Sequence, residues 1–172
     1  SAIQQAGGRA LYASADVTDS PSLQASLTVP VQEIGPITGL IHGAGNLADK
    51  RIEDKTAQDF ETVYQTKVTG LQNLLICLDL DQLDHLVLFS SAAGFYGNIG
   101  QTDYALANEI LNKIAHQIKR SHPSCAVFSF NWGPWDGGMV TPALKQYFLE
   151  RGIALIPIEA GAQILVDALQ SG

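Results

Sequence analysis

The stretch DHLVLFSSAAGFYGNIGQTDYALAN, residues 84–108, passes from an apolar run through a glycine-containing loop into a segment of helical period. The run DHLVLFSS is almost continuously apolar, which is typical of a strand buried on both faces of a parallel sheet. A helix is predicted to follow over residues 104–121. A strand, a short loop and a helix in this order form one repeating unit of an α/β sheet.

The same alternation continues along the rest of the chain. Strands are predicted over residues 9–17, 37–45 and 125–132 as well, and helices over residues 20–34, 57–78 and 159–169. These elements predict an α/β fold with a doubly wound parallel sheet, Rossmann-like, in a single domain over residues 1–172. SAIQQAGG is predicted to be a helix after a second strand, and ALQSG ends where another strand is expected. We therefore expect these residues to lack the first strands, their glycine-rich phosphate-binding turn and the last strand.

Composition excludes several classes of function. The 172 residues are 46% hydrophobic, and 17 acidic against 10 basic residues argue against nucleic-acid binding, which needs clustered cations. No apolar run approaches eighteen residues, so no membrane partner is expected. Cys77 and Cys125 lie in apolar surroundings without metal-site spacing and are predicted to be buried and reduced, as in a cytoplasmic protein. No metal site is predicted, because the scattered His85, His116 and His122 form no ligand set.

Small and polar residues follow the predicted strands. Asp16 and Val17 follow the first strand, HGAG (residues 42–45) the second, Ser90 and Ser91 the third, and NWGPWDGG (residues 131–138) the fourth. Because open α/β sheets bind ligands beyond the carboxyl ends of their strands, these residues predict a site at that edge.

Ser91, Tyr104 and Asn108 have side chains suited to carbonyl reduction. A tyrosine hydroxyl, with a pKa of about 10, can protonate a developing alkoxide if it is held close and a nearby cation lowers its pKa. A serine hydroxyl adds a second hydrogen bond to the same oxygen. Asn108 lies one turn after Tyr104 on the same helix face. The cation has to come from elsewhere in the chain.

These residues resemble the short-chain dehydrogenase/reductases, and more closely the ketoreductase domains of modular polyketide synthases. Most short-chain enzymes have a lysine four residues after the tyrosine, where this chain has Asn108. In polyketide-synthase ketoreductases the lysine and the asparagine exchange places, and the lysine lies in a stretch like TKVTGLQNL, which contains Lys67. The resemblance implies the catalytic residues Ser91, Tyr104, Lys67 and Asn108. NWGPWDGGMVTPAL and LIPIEAGAQIL look most like the reductases of polyunsaturated fatty acid and glycolipid-type synthases.

The resemblance also implies a site for NADPH. In the family an Asp-Val pair brackets the adenine, and glycines after the next strand let the nucleotide approach the backbone. The implied cofactor-binding residues are Asp16, Val17, Gly43, Ala44, Gly45, Gly133 and Pro134. Asp16 could instead begin a turn with Thr18, and the glycines could simply close a tight turn. His42 is expected to be structural, because this mechanism needs no histidine.

Three residues are predicted to face the substrate: Asp49, Trp135 and Met139. NLADK resembles the Leu-Asp-Asp motif of reductases that form the D (R) hydroxyl, with Ala48 replacing its middle residue. Asp49 could also be a solvated loop acid. Trp135 and Met139 are expected at the mouth of the nicotinamide and substrate site, whereas Trp132 is expected in the core.

The function implied by the resemblance is β-ketoacyl reduction. A β-keto thioester carried on acyl carrier protein would be reduced with NADPH to a β-hydroxy thioester, next to neighbouring synthase domains. A non-catalytic structural subdomain is an alternative, whose signature would be loss of Ser91, Tyr104 or Lys67; all three are present. A free-standing short-chain alcohol dehydrogenase is a third possibility, which the Tyr-x-x-x-Asn pattern disfavours.

Overall fold

The computed structural model describes residues 2–171, and within them three strands form one parallel sheet. The strands are β1 (Gly39–His42), β2 (His85–Ser91) and β3 (Ala126–Trp132), in that spatial order. Leu40 of β1 pairs with Leu86 of β2, which in turn pairs with Val127 of β3. The predicted strands at these three places are confirmed.

Helices connect and cover the strands. They are α1 (Ala2–Gln5), α2 (Ser20–Ile34), α3 (Ala57–Tyr64), α4 (Gly70–Ile76), α5 (Ala92–Tyr96), α6 (Thr102–Ser121), α7 (Pro142–Glu150) and α8 (Ile158–Ser171). Short 3₁₀ turns cover Ile52–Asp54 and Leu80–Gln82. Helix α7 was not among the predicted elements, although the Thr141 side chain caps its first turn and Pro142 begins it.

Both faces of β2 are covered, as the doubly wound prediction requires. On one face Leu86 and Leu88 pack with Leu71 of α4 and Leu111 of α6. On the other face Phe89 stacks with Trp135, and the Trp135 ring lies directly against α8. The α/β fold with a doubly wound parallel sheet is therefore confirmed for the described residues.

The predicted helix over residues 57–78 is not continuous. α3 ends at Tyr64, residues Gln65–Thr69 form a π-helical segment, and α4 begins at Gly70. The Gly70 amide donates to the carbonyl of Gln65, five residues earlier. A π segment inserts one residue into the helical period, and such insertions are frequent at functional sites. Lys67 lies in this segment and is buried.

Residues 9–16, predicted to be part of a strand, form neither helix nor strand. A strand requires a hydrogen-bonded neighbour, and none of the described residues pairs with this segment, where Leu11 and Tyr12 are exposed.

Two smaller expectations also need correction. Cys77 is only partly buried, at the end of α4, whereas Cys125 is buried as predicted. Trp132 is also partly buried and stacks on Phe130.

Candidate functional site

Lys67 is the charged residue around which the candidate site is built. It is 3% exposed, and its Nζ donates a hydrogen bond to the carbonyl of Phe89 at 3.0 Å. The same nitrogen lies 5.5 Å from the centre of the Tyr104 ring. Burial lowers the pKa of Lys67 from 10.5 to about 8. This burial is unlike that of an ordinary surface lysine on a helix.

His42 holds the backbone of the lysine. Its Nε2 lies 2.9 Å from the carbonyl oxygen of Lys67, which can only accept, so this nitrogen carries the proton. The ring is 2% exposed, and burial lowers the pKa of His42 and keeps it neutral. His42 thus connects the end of β1 to the π-helical segment, in agreement with the structural role expected for it.

Tyr104 lies in the first turn of α6, beside Ser91 at the end of β2. Burial raises the pKa of Tyr104, interactions with the Ser91 and Asn108 side chains oppose this rise, and the charge of Asp49 adds to it. The balance of these effects raises the pKa of Tyr104 above its ordinary value. Ser91 Oγ accepts a hydrogen bond from the Ala93 amide at 3.1 Å, which leaves the hydroxyl hydrogen available for another acceptor.

Asn108 is fully buried behind Tyr104. Its side-chain Nδ2 donates to the backbone carbonyl of Tyr104 at 2.8 Å, and its backbone carbonyl accepts from Ser90 Oγ at 3.0 Å. Its Oδ1 is buried without a hydrogen-bond partner among the described residues. A buried polar atom without a partner is costly in a folded protein and marks a place where another group can bind. The structure thus brings the four predicted catalytic residues together.

The loop that carries Asp49 lies against the beginning of α6. The Asp49 carboxylate accepts from Gln101 Nε2 at 2.8 Å, and the Lys50 amide donates to the carbonyl of Gly100 at 3.0 Å. Gly100 has φ +82°, a conformation that favours glycine. Although Asp49 is exposed, it is close enough for its charge to influence Tyr104.

Met139 and Trp135, the other predicted substrate residues, are in different environments. Met139 is exposed and approaches Gly45. A Cβ added to Gly45 would lie 3.4 Å from Met139 Cε and 3.2 Å from Lys67 Cε. Trp135 packs against Trp132, with ring centres 4.9 Å apart, and against Gly161 of α8. Met139 therefore borders the lysine, whereas Trp135 belongs to an aromatic cluster between the sheet and α8.

Five of the predicted cofactor residues come directly after a strand of the sheet. Gly43, Ala44 and Gly45 directly follow β1, with Gly45 beside Lys67, and Gly133 and Pro134 directly follow β3. The Pro134 carbonyl accepts from the Ile156 amide at 2.8 Å. Gly45 packs closely against the lysine, because an added Cβ would lie 3.2 Å from Lys67 Cε and 3.5 Å from Lys67 Nζ.

Asp16 and Val17 precede α2, and Val17 lies against Gly70 at the start of α4. The Asp16 carboxylate accepts from the amide and the hydroxyl of Thr18, both at 2.8 Å, so the turn considered as an alternative is present. These bonds lower the pKa of Asp16. The Val17 carbonyl accepts from Asn73 Nδ2 of α4 at 2.9 Å, a contact the sequence analysis missed because the two residues are 56 positions apart.

Two classes of site find no support in the part of the chain that the structure describes. Residues 2–171 contain no group of three histidine, cysteine or acidic side chains that could hold a metal ion. Over the same residues no helix has the length and hydropathy needed to cross a membrane.

The parallel sheet and the Ser91, Tyr104, Lys67 and Asn108 cluster at its carboxyl edge define a domain of the short-chain dehydrogenase/reductase class. The family model of the KR domain matches residues 1–137, and the chain therefore belongs to the KR domain family.

The chain is similar to several proteins of known sequence or structure. It is 48% identical to one of the subunits of the polyunsaturated fatty acid synthase of Thraustochytrium sp., over 94% of the chain and 6% of that protein. An N-terminal ketoreductase from the macrolactin assembly line is 29% identical, with a TM-score of 0.84 over 98% of the chain and 33% of that structure. A ketoreductase domain from the bacillaene assembly line is 33% identical, with a TM-score of 0.82 over 99% and 42%. The chain thus spans a small part of its curated relative and less than half of these solved chains.

Proposed function

We propose that this chain is one catalytic unit of a β-ketoacyl reductase that reduces a β-keto thioester to a β-hydroxy thioester with NADPH. The observation that carries the proposal is the buried Lys67, held 5.5 Å from the Tyr104 ring by its bond to the Phe89 carbonyl. Burial of a lysine costs stability, which favours a functional over a merely structural residue. Membership of the KR domain family and similarity to solved ketoreductases support the same conclusion.

The residues beside Lys67 fit the nicotinamide end of the cofactor. Two observations support this fit: Gly45 brings a backbone without a side chain directly beside Lys67, and Oδ1 of Asn108 has no partner among the described residues. Gly43, Ala44, Gly133 and Pro134 would line this end, and Asp16 and Val17 would bracket the adenine. When bound, NADPH supplies the hydride that adds to the carbonyl carbon.

The side chains then act on the carbonyl oxygen. Tyr104 donates its phenolic proton to that oxygen as negative charge develops, a contribution typically worth about 10²–10⁴-fold in rate. The Ser91 hydroxyl, whose Oγ accepts from the Ala93 amide, donates its hydrogen to the same oxygen. The Lys67 ammonium stabilises the phenolate left on Tyr104, and Asn108 supports the return of a proton to it.

The substrate is proposed to arrive on the phosphopantetheine arm of an acyl carrier protein in the cytoplasm, next to other synthase domains. The similarity to one component of a polyunsaturated fatty acid synthase, of which the chain covers 6%, supports this setting. Asp49, with Met139, would guide the arm into one side of the cleft. The product is therefore proposed to be the (3R)-hydroxyacyl thioester.

The test is NADPH-dependent reduction of a simple β-ketoacyl thioester by the full-length protein, with chiral chromatography of the product. Tyr104→Phe removes only the hydroxyl and is expected to lower kcat at least about 100-fold without changing the fold. More than about a tenth of wild-type activity in this variant would refute the role of Tyr104. Predominantly (3S) product would refute the role given to Asp49. An inactive wild-type protein would favour the structural-subdomain alternative.

A further inference from the structure

Lys55 and Asp103 form a buried ion pair that the proposed chemistry does not use. Lys55 Nζ lies 2.8 Å from Asp103 Oδ2, and the two side chains are 7% and 0% exposed. The pair between Lys113 and Glu109 on α6 has a similar distance, 2.9 Å, but is exposed to solvent. A buried pair is costly to desolvate and needs good geometry and further hydrogen bonds to be maintained.

Both members of the pair have such hydrogen bonds, and both bonds go to the backbone of the candidate site. Asp103 Oδ1 accepts from the Tyr104 amide at 2.9 Å, one of the first-turn amides of α6 that have no partner within the helix. Lys55 Nζ donates to the carbonyl of Ala48 at 2.8 Å. Ala48 directly precedes Asp49. The pair therefore connects the loop that carries Asp49 to the residue that carries the phenol.

Two other bonds join the same segments, from Gln101 to Asp49 and from Lys50 to Gly100. The bond between Gln101 and Asp49 is exposed to solvent, whereas the side chains of the Lys55–Asp103 pair are almost completely buried. Electrostatic attraction is stronger at low dielectric constant, so a buried pair defines the geometry more firmly than an exposed contact. Small displacements of a reacting group, about 1 Å, can lower a rate about 100-fold.

We propose that Lys55 and Asp103 are positioning residues that fix the Tyr104 hydroxyl relative to the Asp49 loop, and so control both the rate and the face of reduction. The inference rests on the proposed ketoreductase function. The alternative is that the Lys55–Asp103 pair only stabilises the fold.

The test uses the double variant Lys55→Met/Asp103→Asn in the full-length protein. Lys55→Met alone leaves a buried, unpaired carboxylate and is expected to unfold readily, whereas the double variant removes both charges and keeps an oxygen for the Tyr104 amide. The double variant is expected to have a Tm near that of wild type and a kcat about 10- to 100-fold lower, with the KM for NADPH unchanged. Its product is expected to lose enantiomeric excess. Lys113→Met, which removes the exposed pair, is the matched control and should behave as wild type.

A second measurement does not depend on turnover. The pKa of the Tyr104 phenol is obtained from the ultraviolet titration difference between each protein and its Tyr104→Phe counterpart. Loosening of Tyr104 is expected to increase its hydration and move this pKa down toward about 10 in the double variant. A double variant with wild-type kcat, enantiomeric excess and Tyr104 pKa would overturn the positioning role. If the wild type is inactive but the Tyr104 pKa is still lower in the double variant than in the wild type, the proposed function is overturned while the positioning of Tyr104 is supported.

Discussion

Replacing Lys67 with methionine is expected to make the domain more stable and catalytically almost inactive. Methionine has about the length of lysine but carries no charge, so it fills the same space without the desolvation cost. Lys67 is 3% exposed, and burial is the cause of its lowered pKa. If Lys67 is retained for catalysis at the expense of stability, its replacement should raise the stability of the domain and lower its activity.

The size of the stability change follows from the pKa. A fall from 10.5 to about 8 corresponds to roughly 3 kcal/mol that the charged form costs in the folded state. The variant also loses the hydrogen bond from Nζ to the Phe89 carbonyl, which is worth about 1 kcal/mol. The free energy of unfolding is therefore expected to rise by about 2 kcal/mol at pH 7.

The pH dependence has a definite sign. A lysine whose pKa is lowered by folding imposes its full cost below pH 8, where both states are protonated. Between about pH 8 and 10.5 the folded state loses this proton first, so the wild type gains stability relative to Lys67→Met. The advantage of the variant is expected to shrink over that interval and, because the bond to Phe89 is still missing, to become a deficit of about 1 kcal/mol above it.

The assay is urea unfolding of both proteins from about pH 6 to 11, together with kcat for a β-ketoacyl thioester. Lys113→Met removes an exposed lysine and should change neither property, which makes it the control. The reasoning is refuted if Lys67→Met is less stable than wild type at pH 7, or if the difference in stability is independent of pH.

Three further outcomes follow from the same contacts. The kcat of the wild type should fall as pH rises through about 8, where Lys67 loses its charge, as measured in a pH–rate profile with a parallel check of folding. Gly45→Ala should lower kcat about 10-fold with little change in Tm, because its Cβ would press on the flexible ends of Lys67 and Met139, and unchanged kinetics would mean that the exact position of Lys67 is unimportant. Gly161→Ala should lower the free energy of unfolding by about 1–3 kcal/mol, because its Cβ would overlap the rigid ring of Trp135, and a more stable variant would contradict this packing.

The sequence predicts most of the fold, because burial of a parallel strand leaves a visible apolar run. The segments around β1, β2 and β3 have such runs. Residues 9–16 have one as well, yet a strand also needs a hydrogen-bonded neighbour, which an apolar pattern does not reveal. The π-helical segment at residues 65–69 could not be predicted, since apolar residues at intervals of three and four continue through a single inserted residue.

Part of the candidate site can likewise be predicted from the sequence, and part of it cannot. Ser91, Tyr104 and Asn108 are close in sequence, so their spacing alone suggests a shared site, whereas Lys67 was identified only by resemblance to a family. The ion pair of Lys55 with Asp103 spans 48 positions and leaves no periodic pattern. Its one local signal is an acidic residue in the first turn of α6, which the helix dipole favours in any helix.

The most direct test of the proposed ketoreductase function is transfer of deuterium from NADPH labelled at the transferable position of its nicotinamide ring. The full-length protein is mixed with this cofactor and a β-ketoacyl thioester, and the product is analysed by mass spectrometry and NMR. One deuterium is expected on the carbon that bears the new hydroxyl, with at least about 100-fold slower incorporation by Tyr104→Phe. Absence of deuterium from that carbon in the wild-type product, or equal incorporation by the variant, would contradict the proposal.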